Sequence, residues 1–194
     1  MGSRITADQL VAAYMGGYFP MADPDEDDQI YWYAPDPRAI IPLEDFRISR
    51  SLRSTLRREQ YSVRVNTSFE SVIEACADRD ETWISREIRE LYLELHSLGV
   101  AHSVETWEDE QLTGGLYGIA INGLFCGESM FSVKSDASKV ALVSLVKRLR
   151  DNQFELLDIQ FMTEHLRGFG AIEITKSEYE ERLRQALAVQ TSWI

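Results

Sequence analysis

Apolar residues recur at helical spacing from Ile5 to Met15, where Thr6 with Gln9 makes a capping-box pattern and Gly16-Gly17 stops the run. Phe19 to Asp28 is rich in proline and acid and reads as a loop. Short apolar runs at Ile30–Ala34 and Ala39–Leu43 predict strands on either side of the turn residues Pro35-Asp36-Pro37. Ser49 is placed to cap a helix to about Glu59, and Tyr61 to Asn66 alternates like a strand. Thr67 with Glu70 predicts a second capping box, opening a helix to Ala77. A longer amphipathic helix starts at Ser85 and ends before Gly99, where a left-handed cap is expected.

Beyond Gly99 the period changes from helical to alternating. Ala101–Trp107, Leu112–Ile121 and Leu124–Phe131 predict three strands, with Asn122-Gly123 a strong two-residue hairpin signal. Ser135 or Asp136 caps a helix to about Arg150, and Phe154–Phe161 has the character of a buried strand. A short helix, a strand around Ala171–Ile174 and a helix from Ser177 close the chain. Antiparallel strands followed by alternating helices and strands predict an α+β fold with an acyltransferase-like sheet.

Composition narrows the class. A chain of 194 residues, 44% apolar and 27% charged, has the length for one full-size domain with a small appendage and is too apolar for disorder. Two cysteines, Cys76 and Cys126, are too few for a disulfide framework. No apolar run approaches the ~20 residues of a membrane span, and no basic-then-apolar leader opens the chain, so a soluble cytoplasmic protein is expected. The net charge of −12 argues against non-specific binding to nucleic acid. Phe46 to Arg58 departs from that average, holding Arg47, Arg50, Arg53, Arg57 and Arg58 without an acid. Such a stripe either grips a few phosphates or forms a solvated helix face, and the pattern leaves both readings open.

Several chemistries find no support. His96, His102 and His165 lack metal-ligand spacing and there is no Cys-x-x-Cys, so no metal is expected. Gly114-Gly115-Leu116-Tyr117-Gly118 lies inside a strand pattern, so it is no phosphate loop. Its glycines allow either close approach of a ligand or a bulge. Ser132 to Asp136, where coenzyme A would need a glycine-rich loop, contains no glycine. Gly127-Glu128-Ser129-Met130 is not a nucleophile elbow, and Cys126 sits in an apolar string that favours inert packing. Two acids stand out, Glu128 and Asp158, each inside a mostly apolar strand where a carboxylate must be paired or functional. Asp158 and Gln160, two apart, point to one face of the sheet.

Ten strings then occur in family order, among them Gly17-Tyr18-Phe19-Pro20-Met21, Trp32 to Arg38, Thr82-Trp83-Ile84, Ala101 to Trp107, Gly127-Glu128-Ser129-Met130-Phe131-Ser132 and Leu157-Asp158-Ile159-Gln160. Together they closely resemble the leucyl/phenylalanyl-tRNA–protein transferase family. The resemblance implies transfer of Leu or Phe, and less well Met, from aminoacyl-tRNA to the α-amine of proteins beginning with Lys or Arg, creating a degradation signal. It implies no cofactor, a GNAT-like catalytic domain over residues 37–194 used without coenzyme A, and a small N-terminal domain over residues 1–36. That small domain is expected to be reduced, because a Gly-Gly-Asp-Leu string common in relatives is missing.

The resemblance also assigns site residues. It puts Gln160 at the attacking amine. A carboxylate touching that amine favours the ammonium, so Glu128, beside Gly127 and Ser129, is expected to recognise the acceptor's positive charge and Asp158 to orient Gln160. Leu116, Phe125, Met130 and Leu149 are nominated for the donor side-chain slot, and Trp83 for the platform under the terminal adenine. Met21 stands where some relatives place a stacking Trp, and Ile159 where many have Cys, which argues against a thiol role. Arg50, Arg53, Arg57 and Arg58 match the basic cluster that holds tRNA, and Arg47 extends it. Proton loss from the amine is expected through Asp158, water or the ribose oxygen. Two rival readings are a coenzyme A-dependent N-acyltransferase and a non-catalytic binder of basic N-termini.

Overall fold

The computed structural model describes residues 5–193. Helix α1 (Ala7–Met15) opens with the expected reciprocal cap: the Gln9 N–H donates to Thr6 Oγ1 at 3.2 Å and the Thr6 N–H to Gln9 Oε1 at 3.0 Å. The segment read as a loop is instead half a ribbon, in which β1 (Phe19–Asp23) pairs antiparallel with β2 (Gln29–Tyr33) around a 3-10 turn at Pro24–Glu26. Pro20 is tolerated because each strand of a two-stranded ribbon is an edge. The chain then enters the main sheet as β3 (Arg38–Ile41). Helix α2 (Arg50–Arg57) is capped by Ser49, and β4 (Ser62–Val65) follows. Helix α3 (Phe69–Ala77) starts a residue later than Thr67 predicts and lacks its capping box, because Thr67 gives both its N–H and its hydroxyl to Glu105. Helix α4 (Arg86–Ser97) is capped by Ser85, and Gly99 adopts φ 73° beyond its end.

The alternating region forms β5 (Ala101–Glu108), β6 (Gln111–Ile121) and β7 (Leu124–Ser132), followed by α5 (Ala137–Asp151) and β8 (Leu156–Gln160). A short α6 (Glu164–Arg167), β9 (Ile172–Ile174) and α7 (Lys176–Ala188) complete the fold. Helix α7 starts one residue before Ser177 and is capped by Thr175 through the Glu178 N–H. The seven-stranded sheet has the order β4-β5-β6-β7-β8-β3-β9. All its pairings are antiparallel except β7 with β8, whose connection is the α5 crossover.

Both faces of the sheet are covered, which is why its central strands read as nearly continuous apolar runs. On one face Tyr117, Ile119, Leu124, Cys126 and Leu156 meet α1, α3, α4 and α7. On the other, Leu116, Phe125 and Leu157 meet α5, with Leu52 of α2 and Trp193 closing the layer. Close packing within the sheet and against α5 accounts for two of the β6 glycines. A Cβ on Gly118 would lie 2.2 Å from the Cys126 carbonyl oxygen, and one on Gly114 2.7 Å from Ala137 Cβ. Buried Glu105 accepts the Thr67 and Ser68 N–H groups, each at 2.9 Å, and thereby fixes the chain just before α3. Burial alone would raise its pKa; these bonds, with those from Ser103 and Trp107, hold it below the usual carboxylate range.

Candidate active site

The parallel ladder between β7 and β8 ends at Cys126 and Asp158, and both strands are irregular beyond that point. On β7, Tyr117 pairs with Ser129 and Gly118 with Gly127, leaving Glu128 as the extra residue of a bulge. On β8, Ala39 pairs with Gln160 and Ile40 with Asp158, so Ile159 is extra there. Gln160 itself adopts φ 64°, an uncommon conformation for a residue with a side chain. A cavity of about 420 Å³ is lined from both strands at this irregularity. Its walls draw on both apolar layers: Tyr117, Met21 and Trp83 from one, Leu116, Met130, Leu142, Leu145, Leu157, Ile159 and Leu166 from the other.

Its polar wall is a chain of buried groups. Gln160 Nε2 donates to Glu128 Oε1 at 3.0 Å, and Tyr92 Oη donates to Glu128 Oε2 at 2.9 Å. The Tyr14 hydroxyl in turn bonds the Tyr92 hydroxyl. With its Nε2 engaged on Glu128, Gln160 leaves an amide oxygen that accepts no bond from the described residues. Burial pushes the Glu128 carboxyl up to about 7, against the phenols of Tyr14 and Tyr92, which lower it; the Asp158 charge adds to the rise and Gln160 opposes it.

Asp158 lies behind this wall, fully enclosed and not part of the cavity lining. Arg38 grips it with two bonds, Nε to Oδ1 at 2.9 Å and Nη2 to Oδ2 at 2.6 Å. Tyr179 Oη donates to Oδ2 at 2.8 Å and the Gln160 N–H to Oδ1 at 2.9 Å. Burial alone would lower the Arg38 pKa, but the bonds and charge of Asp158 outweigh it and the net shift is upward. The guanidinium lies 4.8 Å from the Phe19 ring centroid and 4.5 Å from that of Tyr179, and Nη1 reaches the Gly17 carbonyl at 3.1 Å. Asp158 therefore meets Gln160 at its backbone N–H and not at its amide. Cys126, whose thiol burial pushes up, points at Asp158 and is inert filling.

Of the predicted site residues, Glu128, Gln160, Gly127, Ser129, Met130, Leu116, Met21 and Trp83 meet at the cavity. Phe125 and Leu149 are not brought there. Both are completely buried in the α5-side layer, where Phe125 stacks on Trp193 at 5.2 Å between centroids. Leu142 and Leu145, on the same helix as Leu149, take the lining positions instead. Sequence reasoning missed Arg38, Tyr14, Tyr92 and Tyr179. For Arg38 the available signal was a charge abutting the apolar Ala39-Ile40-Ile41 run; the tyrosines gave none, because each occupies an ordinary apolar helix position. Arg79 was missed too: it reaches the rim and donates to the Met130 carbonyl at 2.6 Å.

Arg47, Arg50, Arg53, Arg57 and Arg58 are all exposed, and none makes an ion pair among the described residues. Leu52 buries the opposite side of α2. The helix is tied towards the cavity, since Thr55 Oγ1 donates to Asp136 Oδ2 at 3.0 Å and Lys139 pairs with Asp136 Oδ1 at 2.7 Å. His165, on the cavity wall, feels this pair: burial and then Lys139 lower its pKa, while Asp136 raises it. Among the described residues no group of His, Cys, Asp or Glu is arranged to hold a metal ion, and no helix is long and apolar enough to cross a membrane.

Comparison with known proteins gives the family. A model of the leucyl/phenylalanyl-tRNA protein transferase family matches residues 40–184, and one of that family's N-terminal domain matches residues 3–36. The leucyl/phenylalanyl-tRNA–protein transferase of Herpetosiphon aurantiacus is 54% identical over 188 residues, covering 96% of this chain and 97% of its own. That of Paramagnetospirillum magneticum is 53% identical over 193 residues, covering 97% and 92%. Among solved structures, L-PGS from Bacillus licheniformis aligns at TM-score 0.45 and 14% identity, over 84% of this chain and 56% of that one. By the family models and the extent of these identities, the chain belongs to the leucyl/phenylalanyl-tRNA–protein transferase family.

Proposed function

We propose that the chain is an aminoacyltransferase that moves Leu or Phe, and less well Met, from aminoacyl-tRNA to the α-amine of proteins beginning with Lys or Arg. The observation that carries this reading is the joining, in one cavity, of an oily slot to the Gln160–Glu128 pair. The gap between parallel strands β7 and β8 supports a GNAT-like use of the sheet, and dependence on charged tRNA fits a cytoplasmic enzyme.

The donor ester is already activated, so alignment is the main requirement, and alignment alone supplies roughly 7–11 kcal/mol. Leu116, Met130, Leu142, Leu145 and Leu157 form the slot for a side chain unbranched at Cβ. One methylene is worth about 1–3 kcal/mol, which admits Met as a poorer donor. Trp83 and Met21 offer an aromatic and a thioether surface for the terminal adenine. The acceptor amine sits where the free Gln160 oxygen takes one N–H and aims the lone pair at the ester carbon. An amide oxygen holds no proton at neutral pH, so Gln160 acts by orientation. Basic residues on α2 hold the tRNA by its backbone, which suits an enzyme that uses tRNAs for two amino acids.

Radiolabelled Leu-tRNA incubated with a peptide beginning in Arg tests the reading. Label should pass to the peptide, and RNase pretreatment should abolish transfer. Peptide binding without transfer would support the non-catalytic binder, and labelling from acetyl-coenzyme A the other rival. Gln160→Glu should lose turnover; full turnover would contradict the need for an amide.

A further inference from the structure

Forming the peptide bond requires the acceptor ammonium to lose two protons, and only one has an obvious destination, the ribose oxygen that leaves the ester. At pH 7 an α-amine of pKa about 7.8 is roughly one-seventh neutral, so the other proton must be removed at the site or before binding. Asp158 is sealed behind the cavity wall, with both oxygens held by Arg38, Tyr179 and the Gln160 N–H. Gln160 has no basic atom. Glu128 lines the cavity, and its two oxygens face the Gln160 amide and the Tyr92 hydroxyl.

We propose that Glu128 is the proton acceptor for the attacking amine, and that Tyr92, backed by Tyr14, is the positioning residue that holds it as an aimed carboxylate. This rests on the transferase reading above. The ammonium gives one proton to the Glu128 carboxylate. The neutral amine then forms the C–N bond as the C–O bond to ribose breaks, the ribose oxygen takes the second N–H proton, and Glu128 returns its proton to water at the cavity mouth. No other reactant is needed. The groups facing Glu128 are Tyr14 of α1, Tyr92 of α4, Tyr117 of β6, Cys126 of β7, and Gln160 with the Arg38-paired Asp158 on β8. Among them the two phenols act to keep the carboxyl ionised against its burial, and the upward shift to about 7 suits a base that must both take and release a proton near neutrality.

The test is the pH dependence of single-turnover transfer from Leu-tRNA to one Arg-initiated peptide, from pH 6 to pH 9.5. Because every enzyme meets the same peptide, the amine's own titration is common to all profiles. Glu128→Gln should transfer at least tenfold more slowly than wild type at pH 6.5 and recover to within about threefold at pH 9, where the amine is already neutral. Tyr92→Phe removes a donor to the carboxylate, so the Glu128 pKa rises and the acid limb should move up by roughly one to two pH units. Tyr14→Phe should move it in the same direction, since the Tyr14 phenol also lowers the Glu128 pKa, and carries the test alone if Tyr92→Phe does not fold. His165→Asn, which removes the other cavity group able to take a proton, should leave the shape of the profile unchanged. A uniform loss at every pH in Glu128→Gln, a Tyr14→Phe or Tyr92→Phe profile superimposable on wild type, or a pH-selective loss in His165→Asn would each overturn the proposal. Absence of transfer by the wild-type enzyme at any pH would instead remove the transferase reading itself.

Discussion

Replacing Asp158 by Asn strikes at once the ion pair that holds the fold and the bond that anchors Gln160. Four donors on Arg38, Tyr179 and Gln160 converge on two carboxylate oxygens, with the Cys126 thiol at 3.7 Å as a weak fifth. Asn offers one oxygen and a new NH2, so either rotamer sets a donor against a donor and leaves the Arg38 guanidinium buried without a counter-charge. Removing one partner of a buried pair costs about 3–5 kcal/mol, which equilibrium urea unfolding of Asp158→Asn should show. The anchor on the Gln160 N–H, a bond to a charged acceptor, is worth about 1.5–3 kcal/mol. Its loss should lower kcat roughly 10- to 150-fold with a smaller change in KM for the acceptor. A second variant, Arg38→Met with Asp158→Leu, removes both charges; stability should return most of the way while kcat stays low, because no carboxylate fixes Gln160. A stability loss below about 1 kcal/mol in Asp158→Asn, or wild-type kcat in the double variant, would refute the reasoning.

Three further outcomes are expected. Leu116→Phe narrows the slot, so single-turnover transfer of Phe should fall more than transfer of Leu; an equal fall would indicate general destabilisation. If all five arginines at Arg47, Arg50, Arg53, Arg57 and Arg58 neutralise phosphates, log affinity for aminoacyl-tRNA against log salt should slope at roughly −3.5 to −4.5. Reversing Arg53 and Arg57 to Glu should weaken binding and flatten that slope, and unchanged binding would return α2 to a solvated surface. Glu105 has a folded pKa below its unfolded value, so its stabilisation is present above pH of about 4.3 and is lost as pH falls through the folded value. Glu105→Gln should therefore be less stable than wild type at pH 7 with the gap closing below about pH 4, and a gap independent of pH in urea titrations would contradict this.

The parts of the molecule that follow a single local rule were legible in the chain. Three strands lie between Ala101 and Ser132 with Asn122-Gly123 at the hairpin, Ser49 caps the helix it precedes, and Glu128 and Asp158 stood out as acids in apolar strands. What escaped notice depends on partners distant in sequence. Phe19–Asp23 becomes a strand because Gln29–Tyr33 returns beside it, an event that Pro20 and the acids of the intervening turn disguise. Thr67 fails as a cap because Glu105, 38 residues away, takes its donors. Leu145 and Leu149 share the apolar face of α5, and only the exit of β8 from beside β7 decides that Leu145 meets the cavity while Leu149 is filling. Arg38, placed beside a Pro-Asp-Pro turn, reads as surface until the fold brings Asp158 to it across 120 residues.

The most direct measurement is a structure of the enzyme bound to a 3′-amide-linked phenylalanyl-adenosine together with a peptide beginning in Arg. The phenyl ring should enter the slot between Leu116, Met130 and Leu145. The peptide α-nitrogen should lie within hydrogen-bonding distance of the Gln160 amide oxygen and beside the Glu128 carboxyl. A phenyl ring outside that slot, or an α-nitrogen away from both Gln160 and Glu128, would contradict the account.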